Sequence, residues 1–365
     1  MIDFRYHLVS IIAVFLALAV GLVIGAAALQ SPEIKTLLAL SNHEKTRIAA
    51  LEQSNGSRGK QNSADQAFAQ AAVGRLLPDL LPGRQVVLVT APGADSVAVS
   101  GITAAVQQAG ATLTGEVNLL PQFFDTGGST ENSLTALAQR LAPAGVTVGA
   151  AAAGSPYGGQ QAAARVLASA LVTKSAAGSA ATGGLAPVPG GTPAQGGTPA
   201  AGGTSAAQAG GILSGFAQQN FLQLSGTTGI TAPEPATLAV VVAPATPPGS
   251  AIGPDNQVLL AVAQALQAAD SGTVLAGSAG GSGPGSLIDA VASGSISGSL
   301  VTVDNADLET GQIIVAQALA GLLAGRKPAP YGVAPDAAPS PAPEPSVTVS
   351  AQPAASSGGG RRRRR

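Results

Sequence analysis

An apolar run near the N-terminus constrains this chain more than any other feature. Between Leu8 and Leu29, 22 residues carry no charge, and only Ser10 and two glycines interrupt the apolar side chains. A helix of this length spans about 33 Å, which is enough for the hydrocarbon core of a bilayer, about 30 Å thick. The sequence therefore predicts a transmembrane anchor over residues 8–29, preceded by a short cytoplasmic N-terminus, residues 1–7.

A cleaved signal peptide is the alternative interpretation of this run. Ala26, Ala27 and Ala28 supply small residues for a cleavage site, and Arg5 supplies a basic start. The run is longer than the roughly 7–15 apolar residues of a typical signal peptide, which favours a retained anchor. Basic residues flank the span on both sides, so their distribution does not decide the orientation.

Residues 30–77 predict a helical stalk with coiled-coil character. The apolar residues at the a and d positions of its heptads are Ile34, Leu37, Ile48 and Leu51. Two interpretations remain open: self-association along this seam, which gives a homo-oligomer, or packing of the helix on its own domain. Gly56 and Gly59 predict a break in the helix, followed by a short helix over residues 64–77.

Residues 78–327 alternate between apolar, strand-like segments and longer helical patterns. The predicted strands are Gln85–Thr90, Thr112–Leu120, Leu238–Ala243, Thr273–Ala276 and Leu300–Val303. The predicted helices run from the N-cap Asp95 to Gln108, then over Glu131–Leu141, Gln160–Lys174, Asp255–Ala269, Leu287–Ala292 and Leu308–Leu323. This alternation predicts a doubly wound α/β domain with a mostly parallel sheet.

Two segments have compositions that do not support a packed core. Residues 175–211 are rich in Gly and Ala and contain three six-residue units between Gly190 and Ala207, which predicts a flexible insertion. Residues 328–365 are rich in Pro and Ala and predict a disordered tail. The tail ends in Arg361–Arg365, which we interpret either as a solvated run or as a contact for anionic lipid or acidic envelope polymer.

The residue inventory restricts the chemistry available to the chain. It has no Cys, and its two histidines, His7 and His43, lie outside residues 78–327. A Ser-His-Asp triad and a multi-histidine zinc site are therefore excluded from the predicted domain. The domain's carboxylates show no motif spacing, and most of them are interpreted as helix-start or loop residues: Glu116, Asp125, Glu131, Asp270, Asp289, Asp304, Asp307 and Glu309. Asp304 and Asp307 precede the last predicted helix and are expected to cap it. We assign no catalytic, cofactor-binding or metal residue and predict that the protein is not an enzyme.

Two further patterns exclude nucleotide and nucleic-acid binding as leading hypotheses. The glycine-rich segment that begins at Gly277, GSAGGSGPGS, matches neither the dinucleotide fingerprint nor a phosphate loop, and it predicts a plain turn. Of the 18 basic residues, five form the terminal arginine run, which leaves 13 basic against 19 acidic residues elsewhere. No broad basic face for nucleic acid is expected on the folded part.

Both ends of the sequence resemble an actinobacterial copper-transporter family, typified by the mycobacterial copper transport protein B. The opening MIDFRYHLVSIIAVFLALAVGLVIGAAALQ is similar to the family's N-terminus. The segment SLVTVDNADLETGQIIVAQALAGLLAGRKPAPYGV, Ser299 to Val333, is similar to its last strand and helix and closes on Tyr331 and Gly332. The resemblance implies a membrane-anchored envelope protein of copper efflux or homeostasis, with its body outside the cytoplasm.

The side chains available as copper ligands limit what this resemblance implies. Copper(I) favours the sulfur of Cys and Met, and copper(II) favours imidazole. The only Met is Met1, so we expect no dedicated copper site and treat copper as implied by the resemblance alone. Two functions remain: a copper-homeostasis protein that acts without its own copper site, or a non-enzymatic, membrane-anchored extracytoplasmic scaffold that binds an envelope protein of unknown identity.

Overall fold

The structure is a computed structural model that describes residues 4–28, 32–148, 157–174, 204–226, 233–245, 253–294, 300–334, 337–338 and 340–341. The chain divides into two compact units, Met1–Ala67 and Phe68–Arg365. The first unit contains helix α1 (Phe4–Ala28) and most of helix α2 (Pro32–Leu76). Within α1, Tyr6–Gly25 is long and apolar enough to cross a membrane, which agrees with the predicted N-terminal apolar helix.

Helix α2 is continuous, so the predicted break at Gly56 and Gly59 is wrong. Neither glycine has a positive φ, and the helix runs through both positions without interruption. An isolated glycine costs a helix only about 1 kcal/mol relative to alanine, which neighbouring turns of a long helix offset. The short helix predicted over residues 64–77 is the last part of α2.

The second unit contains one mixed α/β sheet in its described residues. The strands are β1 (Gln85–Thr90), β2 (Thr112–Leu119), β3 (Leu222–Gly226), β4 (Leu238–Val242), β5 (Thr273–Ala276), β6 (Val301–Val303) and β7 (Pro330–Tyr331). Their order across the sheet is β3-β2-β1-β4-β5-β6-β7. Every neighbouring pair is parallel except β2 and β3, which confirms a mostly parallel sheet.

Strands β1 and β4 form the centre of the sheet because their sequences are almost entirely β-branched or aliphatic. All five residues of β4 are buried, as are the last five of β1. Val89 lies opposite Val117 of β2 on one side and Val241 of β4 on the other. Burial on both faces is typical of strands that have helices packed against each side of a sheet.

Helices contribute to two separate apolar clusters. They are α3 (Ser96–Gln108), α4 (Pro121–Phe124), α5 (Gly128–Leu141), α6 (Gly158–Leu171), α7 (Ala206–Gln218), α8 (Pro254–Ala269), α9 (Leu287–Ala292) and α10 (Glu309–Leu323). Helices α4 to α9 pack with Val87 and Val89, whereas α3, α10 and the end of α2 pack with Val86 and Leu88. Because successive strand residues point to opposite faces, the two clusters lie on the two faces of the sheet.

Helix α7 corrects the predicted end of the insertion. Residues 206–211, assigned to the insertion by composition, form the start of α7. Ser205 caps this helix: its hydroxyl accepts the Gln208 N–H at 3.3 Å, and its own N–H donates to the Gln208 side chain at 3.2 Å. The Ser-x-x-Gln capping box and the buried Phe216 outweigh the glycine content. The predicted insertion over residues 175–203 lies outside the described residues.

Strand β7 corrects the predicted start of the disordered tail. Thr302 and Val303 of β6 pair with Pro330 and Tyr331, and the Tyr331 side chain is buried. Proline is tolerated here because it begins a short strand at the end of the sheet. The sequence from residue 342 onward, including the arginine run, lies outside the described residues.

Candidate functional site

Open α/β sheets bind ligands beyond the carboxyl ends of their strands, where the strand order reverses. In this sheet the reversal lies between β1 and β4, because β2 flanks β1 on one side and β5 flanks β4 on the other. The loops that follow β1, β4, β5 and β6 meet at this edge. A ligand site of this kind would lie at this edge.

The crevice between β1 and β4 is closed by backbone contacts. The Ala245 N–H donates to the Gly93 carbonyl at 2.7 Å, and Ala94 forms a bridge with Pro244. The N-terminus of α3 beside it is capped by Asp95, whose carboxylate accepts the Val97 N–H at 2.8 Å. A carboxylate at a helix N-terminus takes the place that an anionic ligand would occupy.

The glycine-rich loop after β5 packs against the loop after β4. A Cβ atom at Gly281 would lie 2.8 Å from the Ala245 carbonyl oxygen, so only glycine permits this approach. The Ser282 hydroxyl donates to the Ser278 carbonyl at 2.7 Å and closes the turn. Gly281 thus permits the close packing of this loop against its neighbour.

A cleft of about 610 Å³ opens on the α3 face, beyond the carboxyl ends of β1 and β2. Its polar floor consists of Thr90, Glu116 and Asn118, which share this face because they are two residues apart or directly opposed in register. The Thr90 hydroxyl donates to Asn118 Oδ1, which orients the amide. Burial raises the pKa of Glu116, and the hydrogen bond from the Asn118 side chain partly opposes this rise.

A second groove, of about 520 Å³, lies between α6 and α8. It is lined mainly by alanines and amides, with the exposed Arg165 as the one charged side chain among the described residues that line it. A single exposed guanidinium gives this groove little chemical definition. The cleft beside α3 is the better-defined candidate site.

Three predicted helix-start or loop carboxylates stabilise backbone. Asp125 precedes α5, as predicted, and hydrogen bonds from the Thr130 hydroxyl and the Gly127 N–H lower its pKa. Asp304 and Asp307 do not cap α10, because its N-cap is Leu308 without a side-chain bond. The Asp307 carboxylate instead accepts the Ala279 N–H at 2.7 Å.

Asp304 clamps the segment that follows β7. Its two carboxylate oxygens accept the N–H groups of Val333 at 2.8 Å and Ala334 at 2.7 Å, and its own N–H donates to the Tyr331 carbonyl. Gly332 lies against this carboxylate with φ of +134° and has no room for a Cβ atom. Asp304 and Asp307 accept hydrogen bonds from backbone N–H groups of other loops. Their position just before α10 in the sequence therefore predicts the wrong hydrogen-bond partner.

Asp270 is a buried carboxylate that composition does not single out. It follows α8, and the Thr273 hydroxyl donates to its Oδ2 at 2.5 Å, whereas its Oδ1 has no hydrogen-bond partner among the described residues. Burial raises its pKa to about 7, although hydrogen bonds from Thr273 and the Gly272 backbone and the charge of Lys174 act in the opposite direction. Asp270 lies near the amino end of β5, away from the cleft.

The described residues bring together no group of three or more His, Cys, Asp or Glu side chains that could hold a metal ion. His7 lies on α1 and His43 lies on α2, and both are exposed. Glu131 and Glu309 lie in the first turns of α5 and α10, and Asp289 lies in the first turn of α9, in agreement with the helix-start prediction.

The fold defines a class: proteins with one apolar N-terminal helix and a mostly parallel α/β unit. Comparison with known protein families identifies the family within this class. The family described as copper transport outer membrane protein, MctB, matches residues 1–341, and the chain belongs to this family.

Curated relatives agree over part of the chain. The copper transporter MctB of Mycobacterium leprae is 33% identical over 145 residues, which cover 40% of this chain and 45% of that relative. The proteins of the same name from Mycobacterium bovis and Mycobacterium tuberculosis are each 32% identical over 146 residues, which cover 40% of this chain and 46% of the relative. The chain thus spans less than half the length of the curated relatives it matches.

Proposed function

We propose that this protein acts in copper transport or copper homeostasis, as a single-pass membrane protein with its α/β unit outside the cytoplasm. The observation that carries the proposal is the family match over residues 1–341, which includes the apolar helix, the whole sheet and the segment held by Asp304. The name shared by the mycobacterial relatives, copper transporter, supports the same pathway and supports a non-enzymatic role.

The protein performs this role without a dedicated copper site of its own. Copper(I) selects sulfur ligands and copper(II) selects imidazole. The chain has no Cys, its single Met is Met1, and no His follows His43. The α/β unit therefore offers copper only scattered oxygen ligands, and a partner protein carries the metal. No other cofactor is required by this proposal.

Two measurements test the function and the mechanism separately. A deletion strain should grow more poorly in elevated copper, but not in elevated zinc, and both the wild-type gene and a His43→Ala variant should restore growth. Purified full-length protein should retain no copper(I) against a competing chelator. An unchanged copper sensitivity refutes the pathway, whereas stoichiometric submicromolar copper binding refutes only the proposed mechanism.

The remaining architectural proposals have structural support of different kinds. A doubly wound topology is supported by the strand order, which runs outward in both directions from β1 and β4, and by helices in both core clusters. We place the anchor over residues 8–29 and the extracytoplasmic unit mainly over residues 78–327. Protease added to osmotically opened cells should remove that unit, and its protection or a mature N-terminus near Ala28 would refute this topology.

Self-association through residues 30–77 is part of the proposal. Ile48 and Leu51, at heptad positions a and d of α2, are 52% and 56% exposed in the single chain, so a second copy of the helix has apolar surface to cover. The terminal run Arg361–Arg365 is proposed to contact anionic lipid or acidic envelope polymer, at about 1 kcal/mol per arginine near the surface.

A second candidate function is a scaffold that organises an envelope complex unrelated to copper. The absence of Cys throughout the chain, and of His after His43, favours this alternative as a mechanism. Purification of the membrane-extracted protein with its bound partners separates the two functions. Co-purification of metal-export proteins supports the copper role, whereas recovery of wall-synthesis proteins alone supports the scaffold.

A further inference from the structure

The cleft beside α3 combines one charged group with a surrounding wall of apolar side chains. Glu116 is the only charged residue among the described residues that line it. The wall includes Val99, Leu119, Leu120 and Pro121, which give an aliphatic surface next to the polar floor. An occupant of this cleft therefore meets a carboxylate at one end and hydrocarbon around it.

The hydrogen-bond donors of the cleft are largely used within the protein. Three of its four hydroxyl residues donate internally: Thr90 to Asn118 Oδ1, Ser100 to a carbonyl three residues earlier at 3.2 Å, and Thr103 to a carbonyl four residues earlier at 2.9 Å. With its oxygen engaged by Thr90, the Asn118 amide donates to Glu116. What these groups present to an occupant is mainly acceptor oxygen, so the cleft selects a ligand that is rich in donors.

The electrostatics of the cleft point in the same direction. Burial raises the pKa of Glu116, because a carboxylate that loses hydration is less stable until a cation compensates it. The positive end of the α3 dipole, which would repel a cation, is offset by the Asp95 carboxylate that caps the helix. A cation is thus favoured at Glu116.

We propose that this cleft binds the ammonium group of an aliphatic amine, with Glu116 as its charged acceptor and the apolar wall around its stem. A calcium ion would need six to eight oxygen ligands, and the cleft supplies one carboxylate. A neutral polyol would need donors as well as acceptors. The ammonium group offers three donors and one positive charge, and it matches both features. This inference goes beyond the role in copper transport and does not depend on it.

The test uses the full-length chain in nanodiscs of zwitterionic phosphatidylcholine and measures its binding of fluoropentylammonium. Line broadening in the fluorine NMR spectrum reports binding, and empty nanodiscs give the background. Fluoropentanol, of equal length and without charge, should bind at least tenfold more weakly. Glu116→Gln, which preserves shape and removes the charge, should weaken amine binding about tenfold or more, since hydrogen bonds to charged groups contribute that much. Asp65→Asn, the same kind of change on the exposed face of α2, should have no effect.

Two further arms make the result decisive. Thr90→Val keeps the charge but frees the Asn118 amide to rotate, and it should weaken amine binding a few-fold without abolishing it. Competition by Nα-acetyl-lysine methylamide at equal concentration indicates that the natural donor is a lysine side chain, whereas competition by free alkylamines alone indicates a soluble amine. Equal binding of the alcohol and the amine, or unchanged binding by Glu116→Gln, overturns the proposal.

Discussion

Replacing Asp270 with Asn should remove a large part of the stability that the wild-type α/β unit loses as the pH rises towards neutrality. Burial raises the pKa of Asp270 from an ordinary 3.8 to about 7. Between these values the unfolded chain ionises while the folded carboxyl keeps its proton, so the wild type loses about 1.4 kcal/mol for each pH unit. The loss begins near pH 4, totals about 4 kcal/mol and ends above pH 7, where both states are ionised.

Asn has the same shape and cannot ionise, and its amide nitrogen occupies the position of the oxygen that lacks a partner. We expect Asp270→Asn to differ from the wild type by less than about 1 kcal/mol at pH 4.5 and to be more stable by about 3 kcal/mol at pH 7. Amide hydrogen exchange in increasing urea, read on peptides that span α8 and β5 and corrected for intrinsic exchange rates, measures this difference on the full-length chain.

The control lies on the same helix. Asp255, in the first turn of α8, is exposed, and Asp255→Asn removes a favourable dipole interaction of about 0.3–1 kcal/mol. Its effect should be the same at pH 5 and pH 8. If the wild type and Asp270→Asn lose stability in parallel as the pH rises, the buried carboxyl does not govern the pH dependence and the reasoning fails.

Three other perturbations test separate parts of the molecule. Changing Leu37 and Ile48 to Asp should abolish any dimer of the full-length chain, because charges in a short a/d seam are costly to bury, and sedimentation in density-matched detergent measures the loss. Deleting Arg361–Arg365 should reduce the crosslinking of the reconstituted protein to photoreactive anionic lipid in low salt, and added salt should have the same effect. Gly332→Ala should destabilise the α/β unit by about 2 kcal/mol or more in urea unfolding, because the new Cβ overlaps the Asp304 carboxylate.

Each of these has its own comparison. A wild-type chain that sediments as a monomer removes the basis for the stalk seam. Equal lipid crosslinking with and without the arginines would show that the arginine run does not contact anionic lipid. Gly325→Ala is the matched control for Gly332→Ala: its φ is also positive, at +78°, but nothing lies within 4 Å of the added Cβ, so its cost should stay near 1 kcal/mol. Equal costs at both glycines would mean that the carboxylate contact contributes nothing.

The centre of the fold follows from local sequence, whereas its edges depend on tertiary context. The strand predicted over Gln85–Thr90 is found with these bounds, and that predicted over Leu238–Ala243 ends one residue earlier, because long β-branched runs have few other conformations. Strand β3 has only five residues, two of which are the polar Gln223 and Ser225. Its apolar pattern is too short to predict a strand from the sequence. Strand β7 exists only because β6 offers it a hydrogen-bonding edge.

The candidate site was predictable in part. The plain turn predicted for the glycine-rich loop agrees with its packing against Pro244 and Ala245. The sequence indicates the polar floor of the cleft only weakly. Glu116 and Asn118 alternate with apolar residues along β2, and Thr90 ends a buried strand. Their meeting depends on the register between β1 and β2, which includes an irregularity that sequence does not reveal.

The clamp at Asp304 has a consequence for the order in which the molecule is assembled. This carboxylate is 4% exposed, and its two N–H donors come from Val333 and Ala334, about thirty positions later in the chain. Until those residues have been synthesised, the loop after β6 holds a carboxylate that lacks two of its hydrogen bonds, and β6 presents an unpaired edge. A shortened gene that stops at residue 327, shortly after the end of α10, would hold the protein permanently in that incomplete state. Folding of the α/β unit is therefore completed only after synthesis has passed Ala334.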